Sequence, residues 1–146
     1  MRRKRRGNAI LEFALSFGLL FSALAGVWEF GYTFYLYNNL ESAVRNGARY
    51  GSLADYDGGS WNGADFTRQV QNMVVYGNPD PASGARPVVL GLDTSHVKVT
   101  PQLRGLVPQR ITVAINDFTV STCFRRLTLN NKPECTFDYM GRFTFP

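Results

Sequence analysis

Residues 13–28 hold no charged side chain, and Glu12 and Glu29 close the stretch at its two ends. As one α-helix this stretch would reach about 24 Å, short of the ~30 Å hydrocarbon core of a bilayer. Continuing to Tyr35 or Leu36 closes the difference if Glu29 lies near a membrane boundary. Trp28, Phe30, Tyr32, Phe34, Tyr35 and Tyr37 cluster at that end and suit an interfacial aromatic belt. In a chain of 146 residues such a segment leaves room for one modest domain and not for two cores.

Ahead of the apolar stretch stand five consecutive bases, Arg2, Arg3, Lys4, Arg5 and Arg6. The formal charge of the chain is +5, which by itself invites a nucleic-acid reading. Location argues otherwise. This leader holds five of the sixteen bases and no acid, leaving eleven bases against eleven acids. Bases beside an apolar helix set topology, with the N-terminus cytoplasmic and the C-terminal part outside. No nucleic-acid partner is expected. Glu12 is harder to place, because a carboxylate inside a membrane segment costs roughly 2.5–3.5 kcal/mol on insertion scales and calls for a partner. The bland alternative is a carboxylate at the headgroup boundary, unpartnered or protonated.

The helical pattern does not stop at the aromatic belt. No proline precedes Pro79, and Leu40, Val44 and Gly47 or Ala48 share one face, with Glu41 and Arg45 paired at i,i+4. A single helix is therefore expected from about residue 8 to about residue 52, its lower half in the membrane and its upper half packed on a domain. Gly47 and Gly51 weaken the upper end, and the turn-forming cluster at 55–60 terminates it. Ala14, Gly18, Ser22 and Gly26 recur every fourth position, a stripe on which two helices can approach closely. A chance run in a glycine-rich membrane helix gives the same spacing.

Beyond the long helix, the spacing of Phe66, Val70, Met73 and Val74 predicts a second, short helix over 64–76. Turn residues mark 77–84 as a loop. Alternation predicts strands at 96–100 and 110–115, and a third over 136–145. The expected fold class is α+β: a long N-terminal transmembrane helix continuing into a small extracytoplasmic domain, with a second short helix and an antiparallel sheet of about three strands. Cys123 and Cys135 enclose a short loop. If that part is exported, a disulfide there would contribute roughly 3 kcal/mol in the chain-entropy model; two unrelated buried thiols are the alternative.

Catalytic patterns are wanting. His96 has no Cys or His at metal-ligand spacing. Asp55-x-Asp57-Gly58 resembles the opening of a calcium loop without its later ligands, and turn formation accounts for it. No Gly-Lys-Ser/Thr follows Gly58-Gly59, and no Ser/His/acid set stands out. No enzyme activity, cofactor or metal is expected.

Gly7, four residues, then Glu12-Phe13 behind a basic leader resembles the processing site of type IV-like prepilins. The string from Gly7 to Leu15, then Glu29-Phe30-Gly31, then Ala43-Val44-Arg45-Asn46-Gly47-Ala48-Arg49-Tyr50, is similar to the TadE-like family, pseudopilins of the tight-adherence (Tad/Flp) pilus systems. The resemblance covers roughly 7–52, and departs at Ser16-Phe17-Gly18, where the family commonly has a proline. It implies a leader at 1–7, a transmembrane part at 8–37 and an extracytoplasmic pilin-like domain at 38–146. It further implies a cut between Gly7 and Asn8 by a membrane prepilin peptidase, in the bacterial cytoplasmic membrane. Partners would be other pilin or pseudopilin subunits and the Tad assembly machinery, with roles in pilus assembly and surface adherence. Glu12 would then neutralise the new Asn8 amine of a neighbouring subunit. The competing reading is a signal-anchored or secreted binding domain, since Ala23-Leu24-Ala25 is a passable signal-peptidase site. Glu12, an acid early in the apolar run, stands against it.

Overall fold

The computed structural model describes residues 4–54, 56–57, 64–104, 107–122, 124–141 and 143–144. One helix, α1 (Lys4–Leu53), runs unbroken through the apolar stretch and the polar segment behind it. It begins four residues ahead of the expected start, so the end of the basic leader is helical too. Ala54 follows as a bend, and β1 (Tyr56–Asp57) is the described part of the 55–60 cluster. The second helix, α2 (Ala64–Tyr76), has the expected limits.

The domain is built on the last third of α1. Leu40, Val44 and Ala48, one turn apart on one face, are fully buried against Val70, Val74 and Val75 of α2 and against the sheet. That sheet has the order β2 (Val97–Arg104), β3 (Val107–Ile115), β6 (Glu134–Asp138), antiparallel throughout. Its central strand sends Ile111, Val113 and Ile115 into the core. On the other face Thr112 and Thr136 share a hydroxyl hydrogen bond of 2.9 Å, and Arg110 Nε donates to Asp138 at 2.8 Å. Both are directly opposed cross-strand pairs, which fix the register. The Arg110–Asp138 pair is exposed, so it adds little to stability. The same holds for the expected Arg45–Glu41 pair, present at 3.0 Å.

Two details depart from the sequence reading. The third strand is shorter and shifted: β6 ends at Asp138, and beyond Gly141 the chain forms a separate strand, β7 (Phe143–Thr144), paired in parallel with β1. Also, a hairpin of β4 (Phe118–Ser121) and β5 (Arg126–Leu129) fills the interval between β3 and β6. Both its roots turn through positive-φ residues, Asp117 (52°) and Asn131 (54°), types whose short polar side chains tolerate that region. Asn130 Oδ1 accepts the Asp117 N–H at 3.2 Å and ties the two roots together. Phe118, Val120 and Leu129 face the core.

The glycines of the upper helix are contact sites. A Cβ on Gly47 would collide with the γ-methyl of Val74, and one on Gly51 would lie 3.1 Å from Val70 and 3.3 Å from Ile111. Their absent side chains let α2 and the sheet close on α1. Beside this seam, the Tyr50 hydroxyl donates to Gln69 Oε1 at 3.2 Å. Burial pushes the Tyr50 phenol above its usual value, and the Asp80 carboxylate adds to the effect.

Two predictions follow from this packing. Val74 is a stiff β-branched residue in a helix and has little room to rotate away. Gly47→Ala should therefore destabilise the protein by about 1–3 kcal/mol through overpacking, against about 1 kcal/mol gained in helix propensity. Denaturant midpoints of the full chain in detergent should fall, and Val74→Ala in the same chain should restore them. For Tyr50, the folded state holds the phenolic proton more tightly than the unfolded chain. Its stabilisation is complete below the ordinary tyrosine value near pH ~10 and is lost as pH rises through the higher folded value. Tyr50→Phe should make the midpoint less sensitive to pH in that alkaline window; equal slopes for both proteins would contradict this.

Candidate functional site

The expected processing residues occupy the first turns of α1. Gly7 lies three residues from the start of the described helix. Asn8, Glu12 and Phe13 are exposed. Among the described residues no hydrogen bond or ion pair reaches the Glu12 carboxylate. On the apolar surface behind it, Phe13, Phe17 and Phe21 stack in succession, with centroids 5.9 and 6.1 Å apart. The helix carries Glu12 as an acid on an otherwise lipid-like surface.

Ala14, Gly18, Ser22 and Gly26 form an open stripe. A Cβ added to Gly18 or Gly26 would meet nothing within 4 Å. The Ser22 hydroxyl is satisfied within the helix by the Gly18 carbonyl at 2.8 Å. At about 100° per residue, Ser22 and Gly26 lie roughly 100° and 140° around the axis from Phe21. Ser22 and Gly26 are thus turned away from the side where Phe21 and Trp28 project, whereas Gly18 and Ala14 lie only about 60° and 20° from Phe21.

That other side is approached by the hairpin. The turn of the β4–β5 hairpin descends along α1, and two of its groups address Glu29: the Thr122 hydroxyl and, at 3.4 Å, the Phe124 N–H. The turn is closed by the Thr122 N–H donating to the Arg125 carbonyl at 2.9 Å. The Phe124 ring then borders an open apolar groove of about 490 Å³ with Phe21, Leu24, Ala25 and Trp28. Trp28 lies twelve residues before Leu40, so the hairpin tip stands about 18 Å along the axis from the core. Sequence reading missed this contact. The alternation of Phe118 with Val120 and of Leu127 with Leu129 signals the strands, but nothing local in the chain points to the pairing with Glu29.

The remaining expectations resolve as follows. Cys135 is partly buried on β6 opposite Val113, and Cys123 lies outside the described residues. His96 closes a 3₁₀ turn (Thr94–His96): its Nδ1 accepts the Asp93 N–H at 3.2 Å, and its ring meets Phe118 edge-on at 5.4 Å. Among the described residues no three His, Cys, Asp or Glu side chains converge as a metal site would require.

α1 is the one described helix long and apolar enough to cross a membrane. No curated protein and no solved structure matches the chain. A family model does match, over residues 7–49, and it begins at Gly7 and ends one residue before Tyr50. Over that span, on the helix that carries Gly7, Glu12 and Glu29, the chain is similar to the TadE-like proteins.

Proposed function

We propose that this chain is a minor pilin or pseudopilin of a Tad-type pilus, cut by a prepilin peptidase between Gly7 and Asn8. The TadE-like match over 7–49 carries this reading and supports a Tad pilus-associated, membrane-anchored protein. The finer steps follow from chemistry. Gly7 offers no side chain to obstruct a peptidase. Cutting there removes the five bases and exposes an Asn8 amine. As the helix leaves the bilayer among like helices, Glu12 would be a buried, unpaired carboxylate, and the Asn8 amine of a neighbour offsets that cost. The open stripe at Ala14, Gly18, Ser22 and Gly26 supplies the surface on which those helices meet. The leader end is cytoplasmic and the domain extracytoplasmic at the inner membrane. The chain acts there as a non-enzymatic subunit of pilus assembly and surface adherence. Cleavage after Ala25 fits less well, since it would separate Phe21 and Leu24 from the groove they form with Phe124.

N-terminal analysis of the mature protein should return Asn8; Gly26 would indicate ordinary secretion, and Met1 an uncleaved anchor. Glu12→Ala should still be cut but should reduce surface pili severely, and normal piliation would remove the role given to Glu12. Gly18→Leu or Gly26→Leu should lower co-purification with partner subunits without affecting the cut. Unchanged co-purification would count against the stripe as a packing face.

A further inference from the structure

The hairpin tip stands at a level of α1 that a spanning helix would place among lipids. Twenty helical residues fill a ~30 Å hydrocarbon core, and counted from Ala9 they end at Trp28. Glu29 is then the first residue at the boundary farther from the N-terminus. Phe124 borders Phe21, Leu24 and Trp28, so its ring lies between that boundary and a depth of about 12 Å. It is 69% exposed there, with Leu127 also exposed nearby. Arg125 and Arg126 follow directly and are exposed as well.

Polar backbone is tolerated at such a depth only where its groups are satisfied or buried against protein. Three donors of this turn meet that condition. The Thr122 N–H is bonded to the Arg125 carbonyl, and the Phe124 N–H and the Thr122 hydroxyl are directed at Glu29. The same contacts supply the partners that an acid at the membrane boundary requires. An apolar tip followed by two arginines suits an interface: the ring enters the acyl region while the guanidinium groups reach back to phosphate.

We propose that the tip of the β4–β5 hairpin is a second membrane anchor. Phe124 inserts into the leaflet farther from the N-terminus, Arg125 and Arg126 bind lipid phosphates, and Glu29 holds the turn against α1. The proposal rests on α1 spanning the bilayer, and its test separates the two. The full chain carrying Trp28→Phe and Trp61→Phe would be reconstituted in vesicles of phosphatidylcholine and phosphatidylglycerol, with a single tryptophan introduced by Phe124→Trp or, separately, by Leu15→Trp in mid-helix. Acyl-chain-brominated phosphatidylcholine and aqueous iodide serve as quenchers from the two sides. Expected for F124W is blue-shifted emission, loss of emission with brominated lipid, and protection from iodide. Arg125→Glu with Arg126→Glu in that chain should weaken the bromine quenching. Bromine quenching of L15W combined with only iodide quenching of F124W would overturn the anchor and leave α1 spanning. Iodide quenching of both would overturn both. Protection of F124W from both quenchers, varying with the protein-to-lipid ratio, would assign the tip to a second copy of the chain and equally overturn the proposal.

Discussion

The face of α1 carrying Leu40, Val44 and Ala48 is the contact on which the remaining structure is assembled. These side chains are fully buried, and the elements that bury them come from distant parts of the chain. Complete burial of a Leu or Val side chain stabilises by about 1.5–3 kcal/mol and of a methyl by about 0.8 kcal/mol, so the three together are a large share of the stability of a small domain. Gly47 and Gly51 flank that face and let α2 and β3 come close enough to exclude water. Without this seam α2 would be an isolated helix of thirteen residues, marginal in water by itself.

The seam also fixes the direction of everything distal to it. Once β3 lies against the helix, the turns at Asp117 and Asn131 send the β4–β5 hairpin down the axis toward Glu29. The two acids of the apolar helix thereby acquire different characters. Glu29 is answered within its own chain by the hairpin, whereas Glu12 is exposed. On the function proposed above, Glu29 serves as a structural carboxylate and Glu12 is left for a partner outside its own chain.

Much of this was legible in the residues because the signals were local. The unbroken pattern from the apolar stretch to Tyr50, with no proline, specified one helix, and the 64–76 spacing specified the other. Alternation at Ile111, Val113 and Ile115 located the central strand. What escaped depended on distant partners. The end of β6 at Asp138 is set by its pairing with β3, while Phe143 and Thr144 pair elsewhere, with Tyr56 and Asp57. The hairpin contact joins residues more than ninety positions apart. Gly47 read as a weak point of the helix because propensity sees only the backbone. Its packing role became visible once Val74 was in place. His96 shows the same limit, since its role as a turn cap depends on Asp93 and its ring contact on Phe118.

The one-sided placement of the hairpin has a geometric consequence for any array of these helices. A bare helix is a cylinder about 10–12 Å across with side chains, and like cylinders in a layer can surround one another on every side. Here the hairpin tip borders the sector around Phe21 and Trp28, while the sector around Ser22 and Gly26 is bare helix. A neighbour on the bare side would touch α1 alone, and one on the other side would touch the hairpin as well. The cylinder is therefore two-sided, and its possible neighbours are not equivalent.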